Sequence, residues 1–305
     1  MIKRILVIAA GLAAIAVLGF WLVYIPWNVA RAERHAITHT PQSVGVAFQN
    51  VAFPTKGGGL TIRGWWVPAT NARAVLVFVH GGNANREDAL DFLKFFNDEH
   101  ISVLAPDLRN HGLSDGTPNG RLTMGYDESK DAIGAIDYAE RRAPGLPVYL
   151  MGVSMGGATA IYASADDPRV KKLILFDPVL DAHETSLNAI HAILGWPRWL
   201  VVPVLWSAET FFAGDAGHHS PLAVAESLKL PILLVKDDKD LICLPVYARA
   251  LAARNRHVTL WVVRDPDFGS PPMARSGGWG GHAAGYRFDP EGMKRQLARF
   301  LSPGS

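Results

Sequence analysis

The chain has 305 residues, of which 49% are hydrophobic and 19% charged, and its formal net charge is +2. This is the composition of a globular protein with a tilt toward membrane contact, and the length suffices for one large domain. The balanced charge gives no reason to expect nucleic acid as a partner. The single cysteine, Cys243, excludes a disulfide bond within the chain.

An apolar segment comes first, because no charged residue occurs between Ile5 and Ile25. A helix needs about 20 apolar residues to cross the hydrocarbon core of a membrane, so this stretch is long enough. Pro26 is expected to close it, and its far end carries aromatic residues typical of a membrane interface: Trp21, Tyr24 and Trp27. We therefore predict a membrane anchor with a juxtamembrane segment over residues 1–35.

A cleaved signal peptide is the alternative to this anchor. Ala30 and Ala32 offer a plausible cleavage site, and cleavage there would make the protein secreted. The apolar run exceeds the roughly 7–15 residues typical of a signal peptide, which favours a retained single-pass anchor. Lys3 and Arg4 favour a cytoplasmic N-terminus, although basic residues on the far side weaken this bias. We expect the main domain on the extracytoplasmic side, which is periplasmic in a bacterium.

Strand-like and helix-like segments alternate over residues 44–301. Two alternating segments, VGVAFQNVAF and LTIRGWWVPA, flank a glycine-rich turn and predict an antiparallel pair of strands. Apolar runs predict six buried strands: AVLVFVH, ISVLAPD, PVYLMGV, RVKKLILFD, PILLVKD and HVTLWVVR. Helical patterns follow in NREDALDFLKFFNDEH, TMGYDESKDAIGAIDYAERRA, GATAIYASA, LPVYARALAAR and PEGMKRQLARFL. This order predicts an α/β fold, a mostly parallel sheet with helices on both faces.

One long segment, between Asp177 and Pro231, contains no strand pattern. It includes AILGWPRWLVVPVLWSAETFF, which is far too apolar for a disordered loop. We predict a helical cap over the end of the sheet, at about residues 178–228. As an alternative, WLVVPVLW is too short to span a membrane but could rest at its interface.

The sequence GVSMGG falls where the strand PVYLMGV must turn into the helix GATAIYASA. Such a sharp turn strains the backbone of a central serine, and only small residues fit on either side. The following helix also directs free backbone N–H groups at the site, where they favour developing negative charge. The pattern predicts Ser154 as a nucleophile, with Gly152 and Gly156 as the flanking glycines.

Four motifs resemble those of the α/β-hydrolase superfamily, over roughly residues 44–301. VFVHGGNANR resembles its oxyanion loop, APDLRNHGLSDG the loop after its fourth strand, GVSMGG its nucleophile elbow, and WGGHAAGY its catalytic histidine turn. The resemblance implies an eight-stranded, mostly parallel sheet with a helical cap insertion. It is nearest to serine hydrolases that carry a cap after the sixth strand, which include single-pass membrane forms.

The resemblance implies a catalytic triad in the chain order serine, acid, histidine. His282 lies in the late glycine-rich loop and is the predicted base, which would take the proton of Ser154. The other histidines considered are His257, His218 and His219, which come too early in the chain, and His80 and His111, which are expected to brace loops.

Asp240 is the predicted acid, because an aspartate followed by apolar residues and a proline matches the pattern of the superfamily after the penultimate strand. Asp237 and Asp238 are near competitors. Asp177 is another, since some relatives place the acid after the sixth strand. Cys243 is expected to be a small apolar filler, because no paired base is evident.

The oxyanion hole needs two backbone donors. The first is predicted at Met155, and the second at Gly82, with Asn83 as an alternative. We predict no cofactor and no metal, because HETSLNAIH lacks the H-E-x-x-H spacing and GDAGHH supplies only a loose trio of ligands.

These features predict a serine hydrolase that cleaves an acyl ester or thioester through an acyl-serine intermediate, as carboxylesterases, lipases and thioesterases do. The tryptophan-containing cap and the membrane tether favour a lipid-like acyl substrate. One alternative is a serine peptidase or amidase, for which an acidic pocket binding a free amine would indicate an aminopeptidase. Another is a catalytically inactive, membrane-bound binding protein.

Overall fold

The structure is a computed structural model that describes residues 2–212, 219–264, 282, 283, 285 and 289–302. Within these residues it contains a sheet of eight strands. In chain order the strands are β1 Gln49–Pro54, β2 Thr61–Val67, β3 Ala74–Val79, β4 Ile101–Pro106, β5 Val148–Val153, β6 Val170–Phe176, β7 Ile232–Asp237 and β8 Val258–Val263.

The spatial order of the strands is β1-β2-β4-β3-β5-β6-β7-β8. The pairs β1–β2 and β2–β4 are antiparallel, and all the remaining pairs are parallel. Every residue of β3, β4, β5 and β7 is buried, as expected for strands that are covered on both faces. The predicted antiparallel pair and mostly parallel sheet are thereby confirmed.

The helices of the main body are α3 Leu90–Asp98, α4 Ser129–Arg142, α5 Met155–Asp166, α6 Ala182–Leu194, α7 Arg198–Ser207, α8 Pro221–Ser227, α9 Pro245–Arg254 and α10 Pro290–Leu301. One core layer packs α4, α5, α8 and α9 against the sheet, and a second layer packs α3 and α10 against the opposite face. The prediction of helices on both faces is confirmed. The helices α6, α7 and α8 all lie between β6 and β7, in the segment without strands.

Helix α4 begins later than the sequence pattern indicated. Residues 124–128 form turns, and the buried carboxylate of Glu128 accepts hydrogen bonds from the backbone N–H groups of Thr123 and Gly125, at 3.1 and 3.0 Å. Gly125 has a φ of +98°, which no helix accommodates. Side-chain capping thus replaces the first helical turns.

The N-terminal helix continues through Pro26 instead of ending there. It consists of α1 Ile2–Gly19, a π-helical turn Phe20–Tyr24 and α2 Ile25–Val29. Proline has no N–H, so the carbonyl four residues earlier, that of Leu22, loses its usual helical donor. This carbonyl accepts a hydrogen bond from Ser207 Oγ of α7 at 2.5 Å. The expectation that Pro26 closes the segment is therefore wrong, because a tertiary contact satisfies the carbonyl.

By length and composition, the helix Ile2–Val29 could cross a membrane, although a signal sequence would meet the same criteria. Its most apolar window has a mean hydropathy of 2.6, and no part of that window is buried. The end of the helix packs on α7, where Ile25 joins a small apolar cluster with Val201 and Val204. Trp21 Nε1 also donates a hydrogen bond to the carbonyl of Leu200 at 3.2 Å.

The segment that follows this helix, residues 30–39, lies on the main body. Two backbone hydrogen bonds of 2.9 Å join its start to residues 120–122. The backbone N–H of Glu33 donates to Asn83 Oδ1 at 2.9 Å, at the loop after β3. Arg34 donates to three carbonyls of the loop after β4, those of His111, Gly112 and Ser114. Residues 30–39 therefore contact the two loops that follow β3 and β4.

Candidate active site

Ser154 lies at a sharp turn between β5 and α5. Its backbone angles are φ 54° and ψ −120°, a conformation that a residue with a side chain rarely adopts. Three backbone hydrogen bonds hold this conformation. The N–H of Ser154 donates to Phe176 O at 2.9 Å, and its carbonyl accepts from Gly157 and Val179 at 2.9 and 3.0 Å. The surrounding strands thus fix the serine at the carboxyl edge of the sheet.

The flanking glycines are required by close backbone approaches. A Cβ at Gly152 would lie 2.1 Å from the carbonyl oxygen of Gly156, and one at Gly156 would lie 2.2 Å from that of Val79. Real Cβ atoms do not approach backbone oxygens this closely, so no residue larger than glycine fits at either position.

The structure brings the side chains of Ser154, Asp240 and His282 together. His282 Nε2 lies 2.8 Å from Ser154 Oγ, and His282 Nδ1 lies 2.8 Å from Asp240 Oδ2. The serine follows β5, the aspartate follows β7, and the histidine follows β8. Parallel neighbouring strands end at the same edge of the sheet, so residues far apart in sequence meet there.

Asp240 is buried and is held as an anion. Its Oδ1 accepts hydrogen bonds from the backbone N–H groups of Ile242 and Cys243, at 2.7 and 3.0 Å. Burial raises the pKa of this carboxyl, but the charges of His282 and Lys236 outweigh burial and hold the pKa below its usual range. Burial lowers the pKa of His282, yet the carboxylates of Asp240 and Asp177 together outweigh burial, so the net pKa is raised.

The competing aspartates take other positions. Asp177 does not contact the imidazole, and its Oδ2 instead accepts the backbone N–H of Ala283 at 2.9 Å. Asp237 Oδ1 accepts the backbone N–H of Lys239 at 3.0 Å, and burial raises the pKa of Asp237 to about 7. Asp238 donates its backbone N–H to Val263 at the end of β8.

Two of the other histidines brace the loops beside Ser154, as expected. His80 Nε2 accepts the backbone N–H of Leu108 at 2.9 Å, and His111 Nε2 accepts that of Asn83 at 3.2 Å. The proton of each ring must therefore be on Nδ1, which contacts a backbone carbonyl in both cases. Burial and the neighbouring His80 lower the pKa of His111 to about 3, so this ring stays uncharged.

Two of the remaining histidine candidates, His257 and His219, have partners other than the serine. His257 precedes β8, and its backbone N–H donates to Asn255. His219 stacks on Tyr126 with a ring-centroid distance of 3.8 Å. His218 lies outside the described residues.

The loop after β3 packs against Ser154 and against Met155, the residue that follows it. Gly81 and Gly82 follow β3, and a Cβ at Gly81 would lie 3.5 Å from Ser154 Cβ, while one at Gly82 would lie 3.7 Å from Met155 Cβ. The N–H of Asn83 is already donated to His111, which removes Asn83 from the candidate oxyanion donors. Gly82 and Met155 therefore remain as the candidate pair.

Sequence comparison relates part of the chain to known proteins. Residues 70–210 match the family described as serine aminopeptidase, S33. Polyketide transferase ATR5 of Stachybotrys chlorohalonatus is 32% identical over 150 residues, 46% of this chain and 50% of that protein. Monoglyceride lipase of Homo sapiens is 27% identical over 178 residues, 57% of each chain. The chain thus spans about half the length of the curated relatives it matches.

Structural comparison extends the likeness to most of the chain. The esterase Pf2001 of Pyrococcus furiosus superposes with a TM-score of 0.71 and 23% sequence identity, covering 89% of this chain and 97% of that one. The chain has the α/β-hydrolase fold. The fold that the four sequence motifs implied is thereby confirmed.

A cavity of about 310 Å³ opens beside Ser154. Most of its wall is apolar and includes Phe92, Leu122, Val179, Ala189, Ile193 and Ile242. Helix α6 contributes two of these residues, so the segment between β6 and β7 forms part of the wall. Two carboxylates, Asp88 and Asp91, also line the cavity.

A metal ion is a poor fit to the ligand atoms nearest the serine. Potential ligand atoms of Asp240, Cys243 and His282 lie within 4.8 Å of one another. However, the ammonium of Lys236 contacts the same carboxylate and would repel a cation. Burial raises the pKa of the Cys243 thiol, which favours its neutral form over the thiolate that binds metals.

Sequence reasoning missed one residue of this site. Lys236 is 2% exposed, and its ammonium forms ion pairs with both Asp177 and Asp240. The available signal was a lysine within the otherwise apolar strand PILLVKD, four residues before Asp240. A lysine is almost never fully buried without a partner, so its position in a buried strand indicated a nearby carboxylate.

Proposed function

We propose that this α/β-hydrolase is a serine hydrolase that cleaves an acyl ester or thioester through an acyl-serine intermediate. The observation that carries the proposal is the position of His282 between Ser154 Oγ and Asp240 Oδ2, at 2.8 Å from each. A nucleophile, a base within hydrogen-bond reach and a carboxylate that orients the base are the three parts that this chemistry requires.

In the proposed reaction, Ser154 Oγ attacks the substrate carbonyl while His282 Nε2 takes the serine proton. The resulting oxyanion accepts hydrogen bonds from the backbone N–H groups of Gly82 and Met155. His282 then returns the proton to the leaving alkoxide or thiolate, which departs as the C–O or C–S bond breaks. Water attacks the acyl-serine by the same route, releases the acid and restores the serine hydroxyl. Asp240 stabilises the imidazolium that forms in each half of the reaction.

An acyl chain suits the cavity because most of its wall is apolar. The monoglyceride lipase and the esterase that resemble this chain are named for ester cleavage, which agrees with this choice. A second candidate, an aminopeptidase-like activity, is favoured by the description of the matching family and by Asp88 and Asp91. Two carboxylates on the wall of the cavity could bind the free amine of a peptide.

A paired substrate screen separates these candidates. The full chain in detergent is assayed on p-nitrophenyl esters from acetate to laurate, on matched acyl thioesters, and on p-nitroanilides with acyl or free aminoacyl groups. We expect the largest kcat/KM on an ester or thioester. A preference for aminoacyl anilides, lost in Asp88→Asn and Asp91→Asn, would instead identify the peptidase. No turnover of any series, with no labelling of Ser154 by a fluorophosphonate, would support the inactive binding protein.

The oxyanion donor at Gly82 can be tested by removing its N–H. Gly82→Pro should lower kcat by about 10²–10³-fold, because one oxyanion donor typically contributes that much. Gly82→Ala is the matched control: it keeps the N–H, and its Cβ would meet Met155 Sδ at an ordinary 3.6 Å. Equal kcat values for the two variants on a short p-nitrophenyl ester would remove Gly82 from the mechanism.

We propose the domain boundaries given by the sequence: an anchor with a juxtamembrane segment over 1–35, a hydrolase domain over 44–301 and a cap over about 178–228. We further propose that the anchor is retained and the hydrolase domain is extracytoplasmic. Support comes from the packing of the apolar helix on α7, whose Trp199 and Trp206 are 71% and 56% exposed. A spanning helix packed on the cap would bring these tryptophans to the membrane interface, where tryptophan is favoured.

The cap tryptophans should matter only for substrate taken from a membrane. In vesicles, the double variant Trp199→Ser/Trp206→Ser should lose at least about tenfold in kcat/KM on a long-chain glyceride ester, while keeping its activity on soluble p-nitrophenyl acetate. Val246→Ser, which removes another exposed apolar side chain outside the cap, is the control. Equal losses on both substrates would contradict the membrane role. A mature N-terminus at Glu33 would contradict the retained anchor.

A further inference from the structure

Lys236 is a buried cation shared by two carboxylates. Its side chain is 3% exposed and lies at the end of β7, in the core of the sheet. Its Nζ donates to Asp177 Oδ1 and, at 2.5 Å, to Asp240 Oδ2. Both carboxylates are fully buried, so neither has water to replace the ammonium.

These two carboxylates hold the same turn from two sides. Asp240 Oδ2 contacts the imidazole of His282 at Nδ1, at 2.8 Å. Asp177 Oδ2 accepts the backbone N–H of Ala283, the next residue, at 2.9 Å. The ring and the backbone of the histidine turn are therefore each fixed by a carboxylate, and one ammonium links both carboxylates.

We propose that Lys236 is a positioning residue for His282, which holds both carboxylates in place and keeps Asp240 an anion, so that the Nε2 lone pair faces Ser154. This proposal rests on the proposed function. Asp240 Oδ2 receives two donors, the ammonium and the Nδ1–H of the ring. The negative charge of Asp240 is therefore balanced partly by the ammonium and not by the imidazole alone.

The charges around His282 make this role measurable. Asp240 and Asp177 raise the pKa of the ring, while Lys236 lowers it. Asp237 and the Cys243 thiol belong to the same cluster, and burial raises the pKa of Asp237 to about 7. Replacing the lysine by a neutral side chain leaves two carboxylates without a compensating cation. The pKa of His282 should then rise, because uncompensated negative charge nearby stabilises the protonated form of the ring.

A purely structural lysine would give a different result. In that case its loss would lower stability and lower activity by the same factor at every pH. A lysine that sets the protonation of His282 would instead move the pH dependence. The base must be neutral to accept a proton, so activity rises with pH through the pKa of His282. A raised pKa moves this acid limb to higher pH.

The test measures the pH dependence of kcat/KM and of fluorophosphonate labelling in the full chain. Lys236→Met should move the acid limb upward by about one to two pH units. Lys236→Gln should move it in the same direction and serves if the methionine variant does not fold. The double variant Lys236→Met/Asp177→Asn removes one carboxylate with the lysine, and should move the limb back toward that of the unmodified protein.

Lys172→Met is the matched control. Lys172 is also buried, but its Nζ donates to the carbonyls of Phe300 and Ser302, near the start of β6 and away from Ser154. Its loss should leave the acid limb in place. An unmoved limb in both Lys236 variants would overturn the proposal, as would an equal shift in Lys172→Met.

A readout without turnover separates this proposal from the proposed function. The protonation of His282 is followed by ¹⁵N NMR in histidine-labelled protein, with the signal assigned by its loss in His282→Gln. An upward shift of this titration in Lys236→Met supports the role of Lys236 even if the substrate screen fails. Its absence in a variant that folds, as judged by circular dichroism, overturns the role even if Ser154 proves to be the nucleophile.

Discussion

Ser154→Ala should lower kcat/KM on a short p-nitrophenyl ester by about 10⁴- to 10⁶-fold, because in the proposed mechanism the hydroxyl of Ser154 forms the acyl intermediate. The measurement is initial-rate hydrolysis together with labelling by a fluorophosphonate probe, which should modify the unmodified protein at this serine alone. Alanine should fold normally, since the backbone at this turn is held by hydrogen bonds that do not involve the serine side chain.

Ser164→Ala is a suitable control for this first prediction. Ser164 lies in the same helix, α5, and is 7% exposed, but it is three turns away from the site. Its loss should leave both hydrolysis and labelling unchanged. Retained labelling in Ser154→Ala would mean that the nucleophile is another residue.

Asp240→Asn should lower kcat by about 10³- to 10⁴-fold, because the orientation of the new amide is fixed by its surroundings. The atom at the Oδ1 position accepts hydrogen bonds from the backbone N–H groups of Ile242 and Cys243, so this atom must remain an oxygen. The amide NH₂ then takes the position of Oδ2 and faces the Nδ1 of His282. It would donate to Nδ1, so the ring proton would move to Nε2 and the ring could no longer accept the proton of Ser154.

Asp237→Asn is the matched control for this second prediction. Asp237 is also buried near the end of β7, but its Oδ1 accepts only the backbone N–H of Lys239. We expect kcat to change by less than about tenfold, because this carboxylate does not contact the imidazole. A larger loss in Asp237→Asn than in Asp240→Asn, measured on the same ester, would show that the acid has been assigned wrongly.

Local sequence patterns predicted the architecture well, because they act over short distances. Short runs of β-branched residues favour covered strands, and their alternation with helical periods favours a parallel sheet. The turn at Ser154 was readable for the same reason. A Cβ at either flanking position would lie about 2 Å from a backbone oxygen, so only glycine fits there. The sequence shows this steric requirement directly, as two glycines.

The exact ends of several elements depended on contacts that no local pattern contains. The helix through Pro26 persists because Ser207, far along the chain, donates to the freed carbonyl of Leu22. Helix α4 starts late because the carboxylate of Glu128 turns back to cap the preceding loop. Propensities alone predict the opposite outcome in both cases.

The sequence by itself determined the sheet, the strained serine turn and a short set of candidates for the acid and the base. Only the tertiary structure decided which of these candidates contact one another. Asp177 and Asp240 follow adjacent parallel strands that end at one edge, so strand order alone left both as candidates and Asp240 was preferred only by its resemblance to a known pattern. The structure shows that Asp240 contacts the ring and Asp177 the backbone of the turn. The place of Lys236 in an apolar strand indicated a nearby carboxylate, but only the structure showed that its ammonium joins both Asp177 and Asp240. Hydrogen-bond geometry between side chains depends on strand register and turn conformation, which are properties of the folded chain.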